Sequence, residues 1–428
     1  MQLAGYRFEP LVLALVTLAA LPVISLTGPQ DRTRYELTRH LVRQHTLTVE
    51  PGLFDRAVFD GRSYSDKAPG MSFLAVPAYE LERLAGIAKA PRDWAAEGDL
   101  SLWLMRVLTS GVLFLVAVFL VGRLGEELVP GAGAVTAAVF GVATIAGPLG
   151  PTFFEHDAAA AFVVAAFAFA WLRRSRRGLA IAGLLAGTAV LFQYAAALAA
   201  IVLLAYAGRR AGWFLLGAIP PAVALGAYDW AAFGSPFHLS YRYVANPFAE
   251  RQHHGFFGIG VPTLHGLREV FAGNRGLLVF SPVLVAAAVG LWLLWRRGDR
   301  AEALVCAGVS ALFVLLAAGY FLPYGGGSPG PRFVGPALPL LVLGVPPALA
   351  RFAWPTLALA FASAALMSVD AVTWGVRPFD DTSWVPSRND LAKTVWAWIV
   401  PDRNVGAALV LACSLAAVGT GALAWTRR

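Results

Sequence analysis

Charge is scarce in this 428-residue chain: Asp, Glu, Lys and Arg together make up 14% of it, while 58% is hydrophobic. No soluble domain stands apart in such a composition. Cysteine is scarcer still, and the two present, Cys306 and Cys413, fall inside apolar runs, which suggests neither a secreted disulfide framework nor a metal site. Also missing are the Gly-x-x-x-x-Gly-Lys-Ser/Thr loop that cradles nucleotide phosphates, a Gly-x-Ser-x-Gly nucleophile elbow in a strand–helix setting, and a His-Glu-x-x-His zinc helix. Nothing therefore supports a nucleotide-driven or hydrolytic reaction. The net charge of +8 comes as short basic caps on apolar segments rather than as a stripe on a soluble face, which points to lipid headgroups and not to nucleic acid.

What the chain has in abundance is continuous Leu, Ala and Val, in runs that repeatedly reach the roughly 20 residues needed to cross a bilayer. Lipid offers the backbone no hydrogen-bond partners, and unbroken rather than alternating apolar runs select helices over a barrel. The expectation is an all-helical, polytopic membrane protein, a single unit over residues 1–428, with twelve spans near 7–27, 102–122, 132–149, 157–172, 178–192, 195–208, 211–232, 277–295, 301–321, 333–350, 353–373 and 405–425. The fifth and sixth are short enough to be one helix interrupted at Gln193-Tyr194. The first has the basic start of a signal peptide but no convincing cleavage site, and is read as a retained span.

Arginine-rich short loops on one side place both termini in the cytoplasm by the positive-inside rule. Merging the fifth and sixth spans would throw Arg296, Arg297, Arg300, Arg427 and Arg428 outside, so twelve is the better count. Polar sequence then concentrates on the outer, periplasmic face of an inner (plasma) membrane. Residues 28–101 form a first outer loop with interfacial helices, and 233–276 and 374–404 form two more. All seven histidines and all three lysines fall on this outer side, His156 in the short link 150–156.

Within the first loop, the segment from Asp31 to Val42 spaces Tyr35, Leu37, Leu41 and Val42 at helical intervals and reads as an interfacial amphipathic helix. Asp31 would stand at its start, as a helix cap or as a working carboxylate. Lys67, in Tyr64-Ser65-Asp66-Lys67-Ala68-Pro69-Gly70, would either snorkel to headgroups or hold a lipid-linked phosphate at that depth. Glu155, His156 and Asp157 crowd the start of the fourth span, where Asp157 also suits a cap. Arg332 follows the glycine run Tyr324 to Pro331, which would suit a close approach to a cavity as well as a plain external turn. His253 and His254 are adjacent and lack carboxylate or cysteine partners at ligand spacing, so no metal site is expected there.

A Lys-x-Pro closing a long first outer loop, with an acidic residue just after the first span, resembles the GT-C class of polytopic glycosyltransferases, especially its family 39 branch of protein O-mannosyltransferases and lipid A aminoarabinose transferases. The segments Tyr64 to Gly70, Phe153 to Asp157, Phe233-Gly234-Ser235-Pro236 and Gly330-Pro331-Arg332 carry the resemblance. It implies transfer of a sugar from a polyprenyl-phosphate donor to an acceptor hydroxyl on a glycan, lipid or protein. Asp31 takes the position of the carboxylate that receives the hydroxyl proton. Glu155 and His156 supply a second functional group, with His156 at the position matching the nearer relatives and protonated between its two carboxylate neighbours. Lys67 and Arg332 would stabilise the departing phosphate, and Tyr35, Tyr64, Asp66 and Asp157 would line the substrate site. No cofactor is required. Asp31 is followed by Arg32 and Thr33 rather than by a second aspartate, so a divalent cation is left open.

A twelve-span transporter or flippase is the rival reading. Span interiors nearly free of charge, and halves that show no repeat, argue against it.

Overall fold

The computed structural model describes residues 9–25, 28–90, 99–373 and 391–427, and helices account for most of them. Five are long and apolar enough to cross a membrane: Leu100–Leu128, Tyr194–Phe233, Arg300–Gly319, Ala353–Thr373 and Arg403–Thr426. The number rises to seven if two bent pairs each count once, Leu264–Phe280 with Val283–Arg297 at 94° and Arg332–Val342 with Val345–Arg351 at 48°. Shorter apolar helices are Pro10–Ala20, Gly133–Val142 and His156–Leu172.

This count falls below twelve for a physical reason: several expected spans are broken. The 132–149 run divides into Gly133–Val142 and Ala146–Leu149, and the 333–350 run into a 3-10 turn followed by two short helices. The Tyr194–Phe233 run is itself a reversal. Its first half, Ala197–Ala207, returns to Arg174, whose side chain reaches the Tyr206 hydroxyl. Its second half, Ala211–Phe233, then climbs back along Arg176–Phe192, with Gly217 against Ala180 and Gly187 against Pro221. Gly208 makes the turn at a φ of 55°. The interruption at Gln193-Tyr194 is therefore a true chain reversal between two helices.

The first outer loop departs from expectation. Pro29–Arg43 is a helix, but it is not laid on a lipid surface: Asp31, Thr33, Arg34, Tyr35, Glu36, Leu37, Thr38 and His40 are all buried. Its polar side chains find partners inside the protein. Arg34 pairs with Glu155, Tyr35 donates to Glu82 at 3.0 Å, and Ser72 Oγ donates to the Arg34 carbonyl at 2.9 Å. An amphipathic pattern marks two unlike surroundings, and here both belong to the protein.

A two-stranded hairpin, Ala57–Phe59 with Arg62–Tyr64, follows. Asp60 and Gly61 carry φ of 48° and 70°, the pair that a tight hairpin turn demands. The hairpin leads into the Lys67 turn, which ends at Gly70. A Cβ on Gly70 would stand 2.7 Å from the Leu191 carbonyl oxygen. Glycine is needed there because the turn is pressed onto the end of the Arg176–Phe192 helix. The expected outer loop at 374–404 lies outside the described residues over 374–390.

Candidate active site

A cavity of about 970 Å³ lies where the first outer loop, the start of His156–Leu172 and the end of Arg176–Phe192 meet. One part of its wall is polar, with Asp31, Lys67, Glu155 and Arg332, while Leu198, Leu225, Leu312, Leu316, Phe248 and Phe257 supply apolar surface. Chain segments up to about 300 residues apart thus contribute to one wall.

Asp31 stands in the first turn of Pro29–Arg43, with Gly28 before it and Pro29 fixing the helix start. Its carboxylate is fully engaged. Oδ2 accepts from the Gly28 N–H at 2.7 Å and lies 3.0 Å from Arg106 Nη2, while Oδ1 accepts from the Phe153 N–H at 3.1 Å and from Arg106 Nε at 3.3 Å. Asp31 thereby caps its own helix and faces the cavity at once; the two readings of the residue are not exclusive.

Arg106 belongs to the Leu100–Leu128 helix and also donates to the Ser25 carbonyl at 2.9 Å. A π-helical turn, Val107–Gly111, begins at the next residue. Such turns are frequent at functional sites because they displace the ladder of backbone bonds by one residue.

Glu155 gives Oε2 to Arg34, and its Oε1 lies 3.9 Å from His156 Nε2. Burial pushes the Glu155 carboxyl up, but Arg34, His156 and Arg332 outweigh it and hold the group down at about 2. His156 is not clamped between two carboxylates as expected. Its Nδ1 meets Gln193 Oε1 at 3.2 Å, its ring lies edge-on to Phe154 and Phe333, and both Asp157 oxygens are buried with no hydrogen-bond partner. Neither His156 nor Asp157 reaches the cavity wall.

Lys67 faces the cavity with its Nζ 2.9 Å from Asp66 Oδ2 and 3.3 Å from Asp55 Oδ2. Burial works against the ammonium, but the two carboxylates raise it above its ordinary range. Burial pushes Asp66 up to about 6, against the pull of Lys67 and with the repulsion of Asp55. Asp66 stands behind Lys67, outside the cavity lining.

Arg332 is different. It is 7% exposed, forms no ion pair among the described residues, and lays its guanidinium 4.8 Å from the Phe154 ring centre and 5.7 Å from that of Phe333. Gly325 is folded so closely over it that a Cβ would meet Arg332 Nε at 2.7 Å. Gly325, Gly326 and Gly327 line the cavity, so the glycine run is a close approach and not merely an external turn.

Tyr35 and Tyr64 point away from the cavity. Tyr35 stacks edge-on against Tyr79, and Tyr64 packs on Phe233. The sequence reading missed Arg34, Arg106 and Asp55. Arg106 carried a usable signal, since an arginine inside an apolar run is costly unless it has a task. A group of metal-ligand shape, Glu36, His40 and Glu50, lies off the cavity. Arg39 already serves it as cation, 2.5 Å from Glu36 and 3.3 Å from Glu50.

No protein-family model matches the sequence, and no curated protein does. Solved structures do match in shape. ArnT from Cupriavidus metallidurans in the apo state aligns over 98% of this chain and 75% of its own, at 15% identity and a TM-score of 0.57. The same protein bound to undecaprenyl phosphate aligns over 97% and 76%, at 14% identity and 0.57. The archaeal oligosaccharyltransferase AglB from Archaeoglobus fulgidus, in complex with an inhibitory peptide and a dolichol-phosphate, covers 98% of this chain and 56% of its own, at 11% identity and 0.51. The fold is GT-C. Together with helices long and apolar enough to cross a membrane, that fold makes this a multi-pass membrane protein.

Proposed function

We propose that this protein is a glycosyltransferase that moves a sugar from a polyprenyl-phosphate donor to an acceptor hydroxyl on an envelope glycan, lipid or protein. The observation that carries the reading is Arg332: a buried cation that makes no direct ion pair among the described residues, in the wall that also holds Asp31 and Glu155. Such a cation is preorganised for an anion that arrives with the substrate. The apolar remainder of the cavity suits a prenyl chain. ArnT bound to undecaprenyl phosphate and AglB with dolichol-phosphate support a lipid phosphate in this fold.

In the reaction, the acceptor oxygen attacks the anomeric carbon, the bond from that carbon to the phosphate oxygen breaks, and the phosphate leaves with the electron pair. Arg332 and Lys67 take up the developing negative charge. The hydroxyl proton passes to Asp31, where the incoming O–H exchanges for one of the four donors now on the carboxylate. Glu155, held ionised by Arg34, stays anionic and stabilises positive charge at the sugar carbon. Two carboxylates in unlike surroundings thus take two roles. His156 orients the wall through Gln193. A membrane orientation with both termini inside and the cavity facing the periplasm completes the reading.

Purified protein given a panel of polyprenyl-phosphate sugars should consume one of them and release polyprenyl phosphate. Asp31→Asn and Arg332→Met should each lower the single-turnover rate about 100-fold or more, the usual scale for a lost proton acceptor or charge stabiliser. A donor consumed equally well by both variants would sink the site assignment. Solute movement in proteoliposomes without donor consumption would sink the enzyme reading.

A further inference from the structure

At the end of the helices away from the cavity, two turns bring six arginines together. Arg173, Arg174, Arg176 and Arg177 surround the turn between His156–Leu172 and Arg176–Phe192. Arg209 and Arg210 form the turn before Ala211–Phe233. The turns touch: Arg210 Nη1 donates to the Arg174 carbonyl at 2.6 Å, and the Arg176 guanidinium lies 5.4 Å from the Trp213 ring centre. All six arginines are exposed. Among the described residues one carboxylate bonds to them, Glu302, and it is committed to Arg174 at 2.9 Å and to the Tyr206 hydroxyl at 2.6 Å. Arg173, Arg177 and Arg209 form no ion pair among the described residues.

A second, independent feature adjoins this charge. On the Ala211–Phe233 helix, Gly212, Leu215, Leu216, Ala218, Ile219 and Ala222 form a shallow apolar groove. Leu215, Leu216 and Ile219 are 52%, 53% and 52% exposed, so no described residue covers it. The groove begins two residues after Arg210 and runs from Gly212 to Ala222, about 15 Å at the helical rise. That is about half the thickness of a bilayer's hydrocarbon core, the depth of one leaflet.

We propose that this end of the protein holds an anionic phospholipid, its phosphate against Arg173, Arg177 and Arg209 and one acyl chain along the groove. The start of the Arg176–Phe192 helix adds the positive end of its dipole to the same place, Ser175 Oγ already capping the Gly178 N–H. Charge alone would also attract a soluble polyanion. The groove selects a lipid, because only a lipid joins a phosphate to a chain that can lie in it. The site belongs to the leaflet opposite the cavity, so it is separate from the donor site and does not depend on the proposed reaction.

The experiment is native mass spectrometry of the whole protein in detergent, titrated with phosphatidylglycerol or phosphatidylcholine. The wild type should retain phosphatidylglycerol about tenfold or more over phosphatidylcholine, the scale set by a few basic residues at an anionic headgroup. Arg173→Gln, Arg177→Gln and Arg209→Gln together should abolish the preference while leaving the melting midpoint in phosphatidylcholine micelles unchanged. Ala218→Phe, which fills the groove without touching charge, should weaken retention of both lipids. Equal retention of the two lipids by the wild type, or an undiminished preference in the triple variant, would overturn the proposal. So would displacement of the bound lipid by inositol hexaphosphate with no effect of Ala218→Phe, which would mark a site for soluble polyanions.

Discussion

Arg34 closes its guanidinium onto the carboxylate of Glu155, 121 positions further along the chain, and both side chains lie out of solvent. The pair ties the first outer loop to the start of the His156–Leu172 helix. Removing one partner of a buried pair strands the other, at a cost of about 3–5 kcal/mol. Arg34→Ala should therefore lower the melting midpoint of the detergent-solubilised protein sharply. Replacing both partners, as Arg34→Met with Glu155→Leu, should recover most of that loss and still give no sugar transfer. If the double variant melts as low as Arg34→Ala, the two residues are not coupled as described.

Acid stability follows from the same pair. The Glu155 carboxyl is held at about 2, below its ordinary value of 4.5, because Arg34, His156 and Arg332 outweigh the effect of burial. A carboxyl depressed on folding contributes stability above its unfolded value and loses it as the pH falls through the folded one. The contribution should be present above about pH 4.5 and vanish as the pH approaches 2. Melting midpoints measured from pH 6 to 3 should fall more steeply for the wild type than for Glu155→Gln; parallel curves would remove Glu155 from the account.

Arg332 gives a contrast, because it is buried without a direct ion pair among the described residues, and Glu155, whose charge it feels, is already committed to Arg34. A buried cation that makes no direct ion pair is only partly compensated, so Arg332→Met should melt no lower than the wild type. The same substitution should cut single-turnover transfer about 100- to 1,000-fold, the usual loss when a preorganised charge stabiliser is removed. Arg332→Lys should not restore the rate, since an ammonium cannot reproduce the flat guanidinium set over Phe154. Lower melting together with lost transfer would mean that Arg332 is structural.

Much of this was legible in the sequence, and the particular failures are instructive. Asp31, Lys67, Glu155 and Arg332, which the structure brings to one cavity wall, each stand out in the sequence because a charged group at the edge of an apolar run is expensive. The resemblance puts Tyr35 in the substrate site, and helical spacing shows that two faces differ but not which one meets the cavity. Glu82, 47 residues away, claims it instead. Arg106 was absorbed into a span although it is the residue that holds Asp31. Pairings over 75 or 121 residues leave no periodic trace, so the partners of the site stayed hidden while its members did not.

Lys67 lies between Asp66 and Asp55, so a lipid phosphate must compete for its ammonium. Burial raises the Asp66 carboxyl to about 6 from an ordinary 3.8, despite Lys67 beside it. A raised carboxyl favours the fold below its unfolded value, and that gain is lost as the pH climbs through about 6. Binding should follow the same window. Above pH 6 the Asp66 anion holds Lys67; below it the neutral carboxyl lets the ammonium turn to the donor, while Asp55 stays within reach. A polyprenyl-phosphate sugar is a phosphodiester, so its own charge is constant between pH 5 and 7.5. Its affinity should therefore tighten as the pH falls across that range, by about tenfold, the lower end for a hydrogen bond to a charged group. Asp66→Asn should bind tightly at both pH values, and Lys67→Ala weakly at both. If Asp66→Asn keeps the full pH dependence of the wild type, Asp66 does not control the lysine, and the dependence must arise at another group in the wall.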